Sequence, residues 1–125
     1  MPKIMIVDDV ATIRQIVAAV MAGVGYEVLE AATGEEALAI AAEKRVHLVL
    51  VDVNLPGISG LDVVSKMRGI REYRSTPIVI LAKGGADENI GRATRLGANG
   101  WIEKPFTPDR LLATVNQVLV DHYVA

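Results

Sequence analysis

Three aspartates and a lysine stand just behind runs of mostly aliphatic residues: Asp8 and Asp9 after residues 3–7, Asp52 after residues 48–51, and Lys104 two positions after Trp101-Ile102. One aspartate behind a strand is commonly a helix N-cap or a turn former. Three gathered in one place repel, which raises their pKa values and destabilises the fold unless a cation compensates. Mg²⁺ is the economical cation, since it takes oxygen ligands at roughly 2.0–2.1 Å, accepts one or two protein carboxylates, keeps waters and leaves room for phosphate oxygens. Lys104 supplies a point charge suited to the same phosphoryl group. The chemistry within reach is phosphoryl transfer, with Asp52 as the nucleophile that forms an acyl phosphate and with Mg²⁺ and Lys104 neutralising the equatorial charge. The carbonyl of Asn54 can approach the metal from the turn behind Asp52, and Pro56-Gly57 fix that turn.

Whether these groups meet depends on the elements that carry them. Short apolar runs at 3–7, 27–29, 48–51, 78–81 and 101–102 read as strands, and helical periods lie between them. Ile13, Ile16, Val17, Val20, Met21 and Val24 form one stripe, and Ala37, Leu38 and Ala41 form the next behind Thr33-Gly34. Val63, Val64, Met67 and Ile70 make a third, Ile90, Ala93 and Leu96 a fourth ending at Gly97, and Leu111, Leu112, Val115, Val118 and Leu119 a fifth after Pro108. Strict alternation with short connections predicts a parallel sheet with helices on both faces. Ligands in such sheets gather at the carboxyl ends of the strands, where strand order reverses. That rim would hold Asp8-Asp9, Asp52, Ala82-Lys83 and Glu103-Lys104-Pro105.

At 125 residues and 51% apolar, the chain suits one domain with one substantial core. No apolar run approaches the ~18 residues of a membrane span, and the Met-Pro-Lys start lacks the build of a secretory signal. The absence of cysteine excludes disulfides and thiolate metal sites. These features predict a cytoplasmic protein with no membrane partner. A net charge of −2 without a Lys/Arg block gives no footprint for nucleic acid. His47 and His122 stand alone and read as ordinary.

The ordered set IMIVDD, LVLVDVNLPGISGLD, PIVIL and GANGWIEKPF resembles the receiver domain of two-component response regulators, and is most similar to stand-alone CheY-like receivers. The resemblance covers essentially the whole chain. It implies a flavodoxin-like, doubly wound five-stranded parallel sheet of order 2-1-3-4-5, with the first and fifth helices on one face and the second, third and fourth on the other. It implies one receiver domain over residues 1–125, monomeric and without an output domain. By that resemblance Asp52 is the phospho-acceptor, Asp9 and Asp52 ligate Mg²⁺ directly, Asn54 adds its carbonyl, Asp8 acts through water and Lys104 bridges to the phosphoryl group. The donor is a phosphohistidine on a histidine kinase or phosphotransfer protein. The output is protein–protein interaction through the face of the fourth helix, fifth strand and fifth helix, where Arg92, Arg95 and Trp101 contribute, and chemotaxis is among the signalling roles it suggests.

The departures from the family pattern are informative. Receivers usually carry Thr or Ser at the end of the fourth strand, and here Ala82 stands there, followed by Lys83. A methyl group cannot donate a hydrogen bond. The acyl phosphate then lacks a contact worth about 1.5–3 kcal/mol for bonds to charged groups. Trp101 occupies the place of the switching aromatic, and the space beside Ala82 predicts an indole that turns inward even without phosphate. The glycines at 84 and 85, beside the sequence ADEN, suggest a mobile loop opposite Asp52. Their spacing, without a GK[ST] ending, does not make a phosphate-cradling loop.

Two other classes compete. A Mg²⁺-dependent phosphatase of the haloacid dehalogenase type wants a second Asp two positions after its nucleophile as general acid, and Asn54 stands there, so a turnover enzyme is not expected. A degenerate receiver acting as a phosphorylation-independent interaction module is favoured by Ala82 and opposed by Asp8, Asp9, Asp52 and Lys104.

Overall fold

The strand β3 (Leu48–Asp52) is buried at every position, including its terminal carboxylate. It forms because consecutive aliphatic residues can be desolvated on both faces only inside a covered sheet. Around it, in a computed structural model that describes residues 2–83 and 88–124, lie β1 (Lys3–Val7), β2 (Glu27–Ala31), β4 (Ile78–Ala82) and β5 (Gly100–Glu103). The sheet is parallel throughout, in the order β2-β1-β3-β4-β5. The expected mobile loop at 84 and 85 lies outside the described residues.

The helices are α1 (Ala11–Gly23), α2 (Gly34–Glu43), α3 (Gly60–Arg68), α4 (Glu88–Leu96) and α5 (Pro108–Val124). Alternation along the strands divides the core in two. Met5, Val7, Val49, Val51, Ile78 and Ile80 pack with Ala37 and Ala41 of α2, Val63, Val64 and Met67 of α3, and Ala93 of α4. On the opposite face, Ile4, Ile6, Leu48, Leu50, Val79 and Leu81 pack with Val17 and Met21 of α1 and with Leu111, Val115 and Val118 of α5. Each large aliphatic side chain so buried contributes about 1.5–3 kcal/mol relative to exposure. This is the flavodoxin-like arrangement, with α1 and α5 on one face and α2, α3 and α4 on the other. Among the described residues no helix is long and apolar enough to cross a membrane.

The predicted stripes hold with local differences. Ile16 and Val24 are exposed, because Val17 and Met21, four apart, define the buried line of α1 and Val24 lies past its end. Ile70 falls outside α3 and begins a short 3-10 turn (Arg71–Tyr73) that the sequence did not signal. Thr33 and Ser59 cap α2 and α3 by accepting from the Glu36 and Asp62 amides, and the Asp62 carboxylate accepts in turn from Ser59 N–H.

Candidate functional site

Strand order reverses at β1 and β3: the chain leaves β1 toward β2 on one side and reaches β3 on the other. The carboxyl ends of these two strands therefore bound a crevice. Asp8 follows β1 directly and is fully buried, Asp52 closes β3 at 4% exposure, and Asp9 is exposed beside them. One carboxylate oxygen from each of Asp8, Asp9 and Asp52 can be chosen so that all lie within 4.8 Å of one another.

Lys104, just past β5, reaches across the end of β4 to this cluster. Its Nζ donates to Asp8 Oδ2 and to Asp52 Oδ2, each at 2.8 Å. The second oxygens are also engaged: Asp8 Oδ1 accepts from the Val10 amide at 2.9 Å and Asp52 Oδ1 from the Asn54 amide at 3.0 Å. Burial pushes the Asp52 carboxyl up, and the bond from Lys104, the Asn54 amide and the lysine's charge draw it only part of the way back. Burial works against the Lys104 ammonium too, but its bonds to Asp52 and Asp8 outweigh that and hold its pKa above the ordinary lysine value. Three carboxylates against the one ammonium bonded to them carry two formal negative charges in excess, the charge of one divalent cation. The donors are all hard oxygens and Asp9 faces solvent, so the cluster fits a hard cation that keeps part of its water shell.

The sequence thus named the groups that meet here, Asp8, Asp9, Asp52 and Lys104, and Asn54 joins them through its backbone N–H. Ala82 is fully buried at the end of β4, where its carbonyl accepts from Lys104 N–H at 2.7 Å. Lys83 is exposed and makes no hydrogen bond or ion pair among the described residues. Trp101 departs from expectation: it is 41% exposed instead of turned inward. Its neighbour Ile102 takes the buried position of β5, which is the sheet's edge strand, so the indole lies outward beside Arg110 and Thr114 of α5.

Two residues close against the backbone of the site escaped sequence reasoning. Gly60 opens α3 so close to the end of β3 that a Cβ there would stand 2.1 Å from the Asp52 carbonyl oxygen and 2.7 Å from Val53 Cα. Arg14 of α1 donates to the Asp8 carbonyl oxygen at 2.6 Å. A Gly after Ser59 and an Arg six positions after Asp8 were visible in the sequence, but neither spacing announces a through-space contact. Gly57, at φ +77°, turns the chain between β3 and α3, as the Pro56-Gly57 pair predicted.

Comparison with known proteins agrees with this geometry. The model of the response regulator receiver domain matches residues 4–116. The chain is 35% identical over 116 residues to the phosphate regulon transcriptional regulatory protein PhoB of Pseudomonas aeruginosa, covering 93% of this chain and 51% of PhoB, so it spans about half the length of that relative. It is 35% identical over 119 residues to the chemotaxis protein CheY1 of Helicobacter pylori, covering 94% of this chain and 96% of CheY1. The solved structure of the chemotaxis response regulator CheY4 of Vibrio cholerae superposes with a TM-score of 0.91 at 40% identity, covering 94% of this chain and 98% of CheY4. A sheet of this order, an acid cluster at its switch point and a family match over nearly the whole length have one reading: the chain belongs to the response regulator receiver domain family.

Proposed function

We propose that this receiver takes a phosphoryl group from a phosphohistidine of a partner histidine kinase or phosphotransfer protein onto Asp52, and that it signals by binding another protein through the α4-β5-α5 face. The observation that carries this reading is Lys104 Nζ at 2.8 Å from both Asp52 Oδ2 and Asp8 Oδ2, beside an acid cluster two charges in excess. An Asp52 oxygen attacks phosphorus, the P–N bond breaks, and the departing imidazole keeps its electron pair, leaving an acyl phosphate on the chain. Asp52 and Asp9 would hold Mg²⁺ directly, the Asn54 carbonyl would add a ligand, and Asp8 would act through water. When bound, the metal supplies charge neutralisation at the phosphoryl oxygens. Lys104 remains hydrogen-bonded to Asp8 while its ammonium turns toward a phosphoryl oxygen. Ala82 offers no hydroxyl at the neighbouring strand end, so Lys104 carries more of that oxygen's stabilisation than in receivers with Thr or Ser there.

Exposure of Trp101 and the basic side chains Arg92 and Arg95 supports the α4-β5-α5 face as the exit for the signal. The chain acts on its own aspartate and is not a turnover enzyme. Incubation with acetyl phosphate and Mg²⁺ followed by intact mass tests the proposal: one added phosphoryl group, absent in Asp52→Asn, is the expected result. No addition would favour a phosphorylation-independent interaction module.

A further inference from the structure

Asp9 is the least supported carboxylate of the cluster. It is exposed, and among the described residues its side chain makes no hydrogen bond or ion pair. Where it can reach therefore depends on the backbone that carries its Cα. Asp8 N–H donates to the Ala31 carbonyl at 3.1 Å, and the Asp8 carbonyl oxygen accepts from Arg14 Nη1 at 2.6 Å. A peptide group is planar, so fixing the Asp8 carbonyl fixes the plane that also contains the nitrogen and Cα of Asp9. Arg14 is itself held: its side chain is 18% exposed, and its Nε stands 3.4 Å from Glu30 Oε1 on β2. The guanidinium is a rigid planar fork, so its ion pair with Glu30 helps to orient the Nη1 that meets the Asp8 carbonyl.

We infer that Arg14 is a positioning residue for divalent-cation binding, holding the Asp8–Asp9 peptide so that the Asp9 carboxylate meets those of Asp8 and Asp52. This rests on the proposal that the acid cluster takes Mg²⁺. Charge alone predicts the opposite sign. A guanidinium beside an acid cluster repels an incoming cation, so its removal through space would tighten binding. Loss of a group that orients a metal ligand weakens binding instead.

Calorimetric titration of Mg²⁺ into the unsubstituted chain, Arg14→Gln and Arg14→Lys separates these, with melting temperatures in EDTA recorded alongside. Arg14→Gln should raise the Mg²⁺ Kd by about tenfold, within the range seen when groups that orient metal ligands are lost. Arg14→Lys keeps the charge and loses the fork, so it should raise the Kd as well, and it decides the matter if the Gln variant does not fold. An unchanged or lower Kd in the folded variants overturns the inference while leaving the metal proposal standing. An unsubstituted chain that takes up no Mg²⁺ overturns both.

Discussion

Lys104 Nζ stands 2.8 Å from Asp52 Oδ2, although the two residues lie on either side of β4 in the sheet and 52 positions apart in sequence. The same ammonium holds Asp8, so one cation stabilises two buried carboxylates. Replacing it by Met leaves both without a counter-ion. Breaking a buried pair from one side costs about 3–5 kcal/mol, and the exposed flank of Lys104 argues for the lower end of that range. Thermal unfolding of Lys104→Met in EDTA should show the loss, and Mg²⁺ should recover more stability in the variant than in the unsubstituted chain.

Asp52→Asn should do the reverse, raising the melting temperature in EDTA while abolishing phosphorylation. The variant leaves Lys104 with one buried carboxylate in place of two. The pH dependence follows from the raised pKa of Asp52. Because the folded value lies above the ordinary 3.8, the ionised form is disfavoured in the fold, and stability is lost as pH rises from 3.8 through the folded value. The gain from Asp52→Asn is therefore greatest at neutral pH and shrinks as pH falls toward 3.8. A gain independent of pH would contradict the charge explanation.

Gly60→Ala should destabilise the chain by about 1–3 kcal/mol, the usual range for overpacking. The added methyl meets backbone, the Asp52 carbonyl oxygen at 2.1 Å, and backbone cannot rotate away as a side-chain tip does. Either α3 or the end of β3 must shift. Urea unfolding measures the loss, and slower phosphorylation by acetyl phosphate would mark displacement of Asp52.

Trp101 lies outward, and Ala82 has no hydroxyl with which to draw on a bound phosphoryl group. Beryllofluoride, which mimics the acyl phosphate, should thus change indole fluorescence little in the unsubstituted chain. Ala82→Thr restores the donor, and its fluorescence should respond. A strong shift toward burial in the unsubstituted chain would show that coupling to Trp101 does not need a hydroxyl at residue 82.

How far the sequence revealed this molecule depended on whether a signal was local. The aliphatic residues before Asp52 announced a covered strand because burial of both faces dictates every position, and Thr33 announced a helix start because a cap is a contact within one turn. β2 runs on to Ala31, two residues beyond its apolar core, because Glu30 and Ala31 pair with Ile6 and Val7 without looking like strand residues. The acid cluster was legible because the carboxyl ends of parallel strands meet by topology. The contacts of Arg14 with the Asp8 carbonyl, of Gly60 with the Asp52 carbonyl, and of Arg68 with the Gly97 carbonyl and Asn99 Oδ1 were not legible. Each joins a side chain or a bare Cα to backbone or amide groups brought close only by the finished packing. Trp101 was misjudged for a related reason: room beside Ala82 says nothing about how much more easily an edge strand releases an indole to solvent.

The 96 positions that separate Asp8 from Lys104 also set the order in which the two are synthesised. The acids are made early and their lysine late, so a chain that has reached only β4 has Asp8, Asp9 and Asp52 without the ammonium that pairs with two of them. Only with β5 does that ammonium arrive, so the ion pairs at the rim of the sheet are completed by its last strand.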